Sequence, residues 1–318
     1  MERHVLVPLD GSTAAEAAVW HAAAFVGAVA DGVLLLQVLE TPPSADHLSR
    51  DLDWRLRHAE SLAYLRSVAE RLAEAGVACA VEVEIGVAAD EIVRHARRDD
   101  VALVVMAAHG RGEAAAFDLG GTTHKVLSLA PTSVMVVRLA PDVRPPERAV
   151  GYRRVLVPLD GSPAGEWALD LVASVARRQR AALLLLHLVP ESPPTWQRLP
   201  PSGEEAELRD RLATLQAERA ERYLSKLEAR LAHADLPVRC RVGHATQVAE
   251  AILAVAAEEG VDLIALAAHG ASGAPFACGA VAQRLLATSG LPIVVFQDAP
   301  PDATEAERTP PADAPAEP

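Results

Sequence analysis

The sequence has few aromatic residues, few cysteines, little positive charge and no long apolar run, and each shortage argues against a class of protein. Aromatic side chains form 3% of the 318 residues, so alanine, valine and leucine must fill the core. The three cysteines are odd in number and include no Cys-x-x-Cys pair. A disulfide framework or a zinc site is therefore not expected, and a reducing cytosol fits.

The shortage of basic residues limits the partners of the chain. Acidic residues outnumber basic residues by 43 to 30, which gives a formal net charge of −13. A general nucleic-acid binder needs a basic face to displace counterions from phosphates, so we expect no nucleic-acid partner. A small anionic ligand is compatible with this charge, because backbone N–H groups at a helix start can hold phosphate without basic side chains.

The apolar runs are all short. Neither the run at residues 181–186 nor the longest run, at residues 101–108, approaches the ~18 residues of a membrane span. The pattern of the first strand begins at Val5, too early for the hydrophobic region of a signal sequence to precede it. We therefore expect a cytoplasmic protein without a membrane partner.

What the sequence does contain is an internal repeat. Residues 5–12 read VLVPLDGS, and the same residues recur 150 positions later at 155–162. Residues 103–110, LVVMAAHG, are matched 160 positions later by residues 263–270, LIALAAHG. The second copy has gained about ten residues, which we assign to the Pro-, Ser- and Glu-rich stretch 190–205, typical of a surface loop.

Both copies follow one pattern of alternating elements, which predicts βαβ crossovers and a parallel sheet with helices on both faces. Short runs rich in Val and Leu indicate strands, and leucines at helical spacing indicate the long second helix, which in the second copy covers residues 204–234. In the first copy the predicted strands are residues 4–9, 33–38, 77–85, 101–107 and 133–139, and the predicted helices are residues 12–29, 52–74, 88–97 and about 121–130.

Proline-rich stretches mark the domain boundaries. Pro141, Pro145 and Pro146 lie between the repeats, and prolines are frequent again after residue 298. We predict a first domain over 1–140, a linker over 141–152, a second domain over 153–298 and a disordered acidic Pro/Ala tail over 299–318.

Ligands of open parallel sheets bind at the carboxyl ends of the strands, where the strand order reverses. Two segments of each copy lie at such ends. Residues 8–12 follow the first strand, and a loop that starts at His109-Gly110 follows the fourth. That loop ends at Gly120 and Gly121, where the next helix begins, so backbone N–H groups and the helix dipole favour an anion there. Thr122 and Thr123 add hydroxyl donors.

These segments resemble the universal stress protein family, over residues 4–139 and 153–297. Nucleotide-binding members carry an Asp after the first strand and a Gly-x-x-Gly, nine residues, Gly, Ser/Thr pattern after the fourth. The resemblance implies two tandem Rossmann-like, adenine-nucleotide α-hydrolase-like α/β domains, each a five-stranded parallel sheet of order 3-2-1-4-5 flanked by helices. It also implies ATP or AMP between the first and fourth strands, with Mg²⁺ as a candidate bridge between phosphates. Pairing through the last strands would make the two halves an intramolecular pseudo-dimer.

In the first half the family pattern is close but altered. Gly110 and Gly120 match its second and third glycines, whereas Ala107 replaces the first glycine and Gly121 replaces the hydroxyl residue, with Thr122 next. By the same resemblance Asp10 is the acidic position, Pro8 and Leu9 line the base and ribose, and the backbone of Val38 meets adenine. The candidate nucleotide-binding residues are Pro8, Leu9, Asp10, Val38, Ala107, His109, Gly110, Gly120, Gly121 and Thr122.

The second half departs further from the pattern. Eight residues, rather than nine, separate Gly270 from Gly279, and Ala280 stands at the hydroxyl position. We expect weak nucleotide binding or none there, with this half acting mainly as a structural partner. The candidate residues of this second, weaker site are Pro158, Asp160, Leu188, Ala267, His269, Gly270 and Gly279.

Simpler interpretations stay open for the charged and basic candidates. Asp10 and Asp160 each precede a glycine, and Asp-Gly turns are common. His109 and His269 have no partner carboxylate or nucleophile nearby in sequence, so a turn or cap role outweighs catalysis. The sequence also has no P-loop, no Gly-x-Ser-x-Gly elbow and no His-Glu-x-x-His. We expect no catalytic residues, no metal ligands and no dedicated enzyme activity.

Three functions remain. The first is a cytoplasmic stress-response protein that binds adenine nucleotide mainly in its first domain and regulates partners through binding and release. The second is a nucleotide-free, degenerate tandem scaffold that acts through protein–protein contacts. The third is a slow ATP hydrolase, which the missing catalytic constellation disfavours. Association of two chains as a homodimer is left open by the sequence.

Overall fold

A computed structural model of the chain describes residues 2–40, 47–110, 119–139, 143–190, 203–232, 236–268 and 278–297. Its first half comprises β1 (His4–Pro8), α1 (Thr13–Ala23), β2 (Gly32–Leu39), α2 (His47–Glu74), β3 (Cys79–Ile85), α3 (Ala88–Ala96), β4 (Val101–Ala107), α4 (Gly121–Leu129) and β5 (Val134–Val137). Its second half comprises β6 (Arg154–Pro158), α5 (Pro163–Gln179), β7 (Ala182–Pro190), α6 (Gly203–Leu231), β8 (Val238–Ala245), α7 (Val248–Glu258), β9 (Leu263–Ala267), α8 (Ala280–Thr288) and β10 (Ile293–Phe296).

The ten strands form one sheet in the order β3-β2-β1-β4-β5-β10-β9-β6-β7-β8. Neighbouring strands within each half are parallel. The central pair, β5 and β10, is antiparallel, with Val136 opposite Ile293 and Val134 opposite Val295. The second half therefore repeats the order of the first half in reverse across this pair, and the two halves associate within one chain as a pseudo-dimer.

The core has two layers, one on each face of the sheet. Val5, Leu6 and Val7 are fully buried although successive side chains of a strand point to opposite faces. Val5 and Val7 pack in the layer that includes α1 and α2, and Leu6 packs in the layer that includes α3 and α4. Burial on both faces explains why these strands are almost continuously apolar rather than alternating.

Hydrogen bonds across the junction repeat in both halves. The Arg138 guanidinium donates to the Leu286 carbonyl at 2.6 Å, and the side-chain amide of Gln297 donates to the Leu127 carbonyl at 2.9 Å. On the opposite face the side-chain amide of Gln179 donates to the Ala24 carbonyl at 2.8 Å. These bonds close the ends of α1, α4 and α8 against the other half.

The first helix was predicted over residues 12–29, and its predicted end was wrong, because α1 ends at Ala23. The next N–H groups bond three residues back, as in Phe25 to Ala22 at 3.0 Å, and Gly27 has a φ of 78°. A left-handed residue cannot continue an α-helix, so the chain turns here. The start was closer to expectation, since the Ser12 hydroxyl accepts from the Ala15 N–H at 3.2 Å and caps the helix.

Other predicted ranges differ by less. The helix α2 begins at His47 rather than at residue 52, and β5 is shorter than the predicted 133–139. Most of the insertion assigned to residues 190–205 lies outside the described residues, as does the predicted disordered tail, 299–318. No helix in the described part of the chain is long and apolar enough to cross a membrane.

Candidate functional site

A cavity of about 930 Å³ opens at the carboxyl ends of β1, β2 and β4 in the first half. From β1 the sheet continues to β2 on one side and to β4 on the other, so the cavity lies at the point where the strand order reverses. The structure brings together there all ten candidate residues of the first half: Pro8, Leu9, Asp10, Val38, Ala107, His109, Gly110, Gly120, Gly121 and Thr122.

Asp10 closes a turn and also faces the cavity. Its Oδ1 accepts a hydrogen bond from the Ser12 N–H at 2.9 Å, and Gly11 supplies the left-handed φ of 79° that this turn requires. Its Oδ2 lies so close to Gly110 that a Cβ atom on Gly110 would overlap it. The turn interpretation is thus observed, and it holds the carboxylate against the loop that follows β4.

The start of α4 presents backbone donors to the cavity. Gly120 is the N-cap residue, no side chain of the described residues caps the helix, and its first turn has no acidic residue. The Gly120 N–H donates to the Ala108 carbonyl at 2.9 Å, which fixes the direction of the helix start. A Cβ atom on Gly121 would meet nothing within 4 Å, so this backbone is open to a ligand. The hydroxyl of Thr123 is already donated to the Ala107 carbonyl at 3.0 Å, which leaves Thr122 as the exposed hydroxyl.

The sequence did not suggest one wall of the cavity, which α2 and β2 form. Arg57, Glu60, Ser61 and Tyr64 line it from α2, and Gln37 lines it from β2. Among the described residues, no group bonds the buried Gln37 Oε1. The Tyr64 hydroxyl donates to Glu16 at 3.2 Å, and burial together with the charge of Glu16 raises the pKa of Tyr64. The hydroxyl therefore stays protonated, and this wall offers both an acceptor and a fixed phenol.

The second half has a smaller cavity, of about 420 Å³, at the ends of β6, β7 and β9. Five of its predicted residues line it: Pro158, Asp160, Leu188, Ala267 and Gly279. The other two, His269 and Gly270, lie outside the described residues. Asp160 makes the same turn as Asp10, because its Oδ1 accepts from the Ser162 N–H at 3.0 Å.

A group of polar residues beside the first cavity recurs at corresponding positions in the second half. Glu16 pairs with Arg71 at 2.7 Å beside Tyr64, and in the second half Glu166 pairs with Arg230 at 3.2 Å. The residues that correspond to Gln37 and Tyr64 in the second half are His187 and Tyr223, whose rings lie 6.0 Å apart. The Nδ1 atom of His187 and the hydroxyl of Tyr223 are buried without a partner in the described structure. Burial lowers the pKa of His187, which favours the neutral form of its ring.

A separate cluster contains side chains of the types that bind metals. Glu82, Glu84 and His95 offer ligand atoms within 4.8 Å of one another on β3 and α3. Arg98 pairs with Glu82 at 3.0 Å, and Arg94 pairs with Glu84 at 3.0 Å. Burial alone would raise the pKa of Glu82, but hydrogen bonds from Arg98 and His95 outweigh this effect and lower it. This ion-pair network accounts for the cluster, which lies apart from both cavities.

The comparison with known families decides the family of the chain. The model of the universal stress protein family matches twice, over residues 1–138 and residues 151–297. The chain belongs to the universal stress protein family. Two matches in one chain make it a tandem, two-domain member, as the internal repeat and the motif resemblance predicted.

Solved structures share the fold of this tandem universal stress protein. A universal stress protein from Archaeoglobus fulgidus DSM 4304 is 19% identical, with a TM-score of 0.66 over 92% of this chain and 98% of that chain. A putative universal stress protein from Pseudomonas aeruginosa UCBPP-PA14 is 15% identical, with a TM-score of 0.63 over 93% of each chain. The search of curated proteins gave no match. At these identities the structures support the α/β fold alone.

The residues on the α2 side of the first cavity, which the sequence did not suggest, show one sign of repetition. Tyr64 and Tyr223 are two of only three tyrosines and lie 159 positions apart, and the same spacing separates Arg71 from Arg230. A repeat search on single rare residues, rather than on contiguous runs, would have found this pair. Its partner, Glu16, lies in another helix, so no local motif links it to Tyr64.

Proposed function

We propose that this universal stress protein binds an adenine nucleotide, ATP or AMP, in the first cavity, as a cytoplasmic stress-response regulator. The observation that carries the proposal is one juxtaposition. The Asp10 carboxylate at the end of β1 faces the cavity that also receives the uncapped start of α4 at Gly120 and Gly121. The hydroxyls of a sugar need a hydrogen-bond acceptor, and a phosphate chain needs a cluster of donors. A nucleotide therefore needs both kinds of group at adjacent places.

The base and the ribose fit the strand side of the cavity. Leu36, Val38, Ile92 and Met106 supply apolar surface for a flat ring. Asp10 can accept hydrogen bonds from ribose hydroxyls, since an ionised carboxylate has several acceptor sites. The replacement of glycine by Ala107 is compatible with this arrangement, because Ala107 is only 7% exposed and its methyl group takes little room from the cavity.

The phosphates fit the helix side. The first-turn N–H groups of α4 and the Thr122 hydroxyl are the donors, and the helix dipole adds a favourable field. A bound Mg²⁺ would supply neutralisation of the phosphate charge, and the Asp10 carboxylate is a lining group that could help to hold it.

We propose that the protein works through binding and release and is not an enzyme. The described residues of the cavity lining include four with hydroxyls, Ser61, Thr122, Thr123 and Tyr64. The Thr123 hydroxyl already donates to the Ala107 carbonyl, and the Tyr64 hydroxyl already donates to Glu16. Regulation through packing is supported by the continuous sheet, which couples each cavity to the central β5–β10 pair.

The test is an ATP titration by calorimetry of the parent and of two matched variants. Gly121→Val adds a side chain that points into open space, so the fold should be retained while the phosphate region is blocked. Ala280→Val makes the corresponding addition in the second half. We expect Gly121→Val to weaken ATP binding at least tenfold and Ala280→Val to leave it unchanged. Equal affinity in all three proteins would contradict the site, and no binding by the parent at millimolar ATP would favour the nucleotide-free scaffold.

A further inference from the structure

The two cavities occupy corresponding places, but their linings differ. Most replacements in the second half are larger or more apolar, although Ala15 becomes the smaller Gly165. Going from the first cavity to the second, Val38 becomes Leu188, Ala88 becomes Val248, Gly121 becomes Ala280, Thr122 becomes Val281 and Thr123 becomes Ala282. The volume falls from about 930 to about 420 Å³.

The replacements remove the Thr122 hydroxyl and fill the space in front of the helix start. The side chain at position 121 would point into open cavity, so the methyl group of Ala280 occupies the corresponding space in the second half. Val281 brings an apolar side chain, 36% exposed, to the place of the Thr122 hydroxyl. Among the lining residues that the structure describes, Asp160 is the sole polar side chain.

The helix start alone does not restore phosphate binding. Gly279 caps α8 as Gly120 caps α4, with its N–H donated to the Ala268 carbonyl at 2.8 Å. The dipole of a helix start corresponds to roughly half a positive charge. No hydroxyl or cation of the described lining adds to it in the second cavity, whereas Thr122 and Arg57 line the first cavity.

We infer that the second cavity binds a neutral nucleoside and excludes nucleotides. Pro158, Leu188, Ile252 and Leu266 keep an apolar slot suited to a flat ring. Asp160, in the same turn as Asp10, keeps the acceptor for hydroxyls. The choice of a nucleoside rests on the function proposed for the first cavity, whereas the exclusion of phosphate rests on the lining of the second cavity itself.

The site is tested on the full chain with adenosine and ATP as the probes, by calorimetry. Asp160→Asn and Asp10→Asn are matched variants, and both keep an oxygen acceptor for the Ser N–H of the turn, so folding is preserved. With ATP present at saturation, adenosine should bind at one per chain. Asp160→Asn should weaken this adenosine binding about tenfold without changing ATP affinity, and Asp10→Asn should weaken ATP binding without changing the adenosine site.

A converse variant provides a second readout. Gly121→Ala combined with Thr122→Val gives the first cavity the helix start of the second. ATP affinity should fall at least tenfold, whereas adenosine affinity at this cavity should change less than threefold.

The outcomes separate this inference from the proposed function. Adenosine binding that Asp160→Asn weakens, with no ATP binding at either cavity, would support the inference and refute the function proposed for the first half. ATP binding at the first cavity with no adenosine bound to the second would overturn the inference alone. ATP bound at two per chain, with Asp160→Asn reducing the stoichiometry to one, would also overturn it.

Discussion

At the scale of single residues, the first cavity depends on one close approach between two loops. Gly110 passes so near the Asp10 carboxylate that it has no room for a side chain, although nothing in its immediate sequence says so. The Asp-Gly pair at residues 10–11 was predictable as a turn. This turn also contacts the loop after β4, because β1 pairs with β4 in the sheet, and that contact was not predictable from the local sequence.

Gly110→Ala should therefore destabilise the fold and disturb the cavity. We expect a loss of about 1–3 kcal/mol in the free energy of unfolding, the usual cost of overpacking a filled site. Urea unfolding measures it. Gly121→Ala is the control, because its added methyl group meets nothing within 4 Å, and its stability should equal or exceed that of the parent. Equal stability of Gly110→Ala and Gly121→Ala would contradict the close approach.

The two tyrosines offer a matched pair. The Tyr64 hydroxyl donates to Glu16, whereas the buried hydroxyl of Tyr223 has no partner in the described structure. We expect Tyr64→Phe to cost roughly 1–3 kcal/mol, as for a hydrogen bond to a charged group, and Tyr223→Phe to be neutral or stabilising. The difference between the two free energies of unfolding is the measurement. A larger loss for Tyr223→Phe would show that its hydroxyl has a partner.

At the scale of elements, the sequence predicted those features that depend on neighbours along the chain. The strands β1 and β4, the cap at Ser12 and the glycines at the start of α4 all belong to contiguous motifs. The end of α1 was missed because residues 24–29 continue the apolar run of the helix, whereas Gly27 adopts a left-handed conformation beside Arg178 of the other half. The α2 wall was missed because helix packing on β2 brings its polar residues to the cavity.

The cap of α1 is testable in isolation. Ser12→Ala removes the acceptor of the Ala15 N–H, so we expect a loss of about 1 kcal/mol in the free energy of unfolding. The control is Ser128→Ala, because the Ser128 hydroxyl bonds the His124 carbonyl within its own exposed helix and should matter little. Thermal or urea unfolding distinguishes them. A Ser12→Ala variant as stable as its control would mean that the cap is replaced by water.

At the scale of the whole molecule, a half-buried histidine joins the two halves. His21 on α1 lies 2.6 Å from the hydroxyl of Tyr152, just before β6. Burial lowers the pKa of His21 from its ordinary 6.5 to about 4, and burial raises the pKa of Tyr152 well above 10. Both rings are thus neutral near pH 7, and a hydrogen bond joins the imidazole Nδ1 to the phenol.

This contact predicts a pH dependence of stability. The unfolded chain binds more protons at position 21 than the folded chain does between pH 6.5 and pH 4, so stability falls as the pH drops through this window. The loss attributable to His21 approaches roughly 3 kcal/mol near its lower end. His21→Gln should flatten the stability profile between pH 4.5 and 7, measured by urea unfolding. An unchanged slope in the variant would mean that His21 is solvated in the folded protein.

The ligand of the first cavity can be identified from what the purified protein carries. Freshly purified protein is denatured, and the released small molecules are identified by chromatography and mass. We expect an adenine nucleotide at close to one per chain. Two nucleotides per chain would contradict the assignment of the second cavity. No released nucleotide, together with no binding in a millimolar ATP titration, would contradict nucleotide binding and leave the tandem domains as a scaffold.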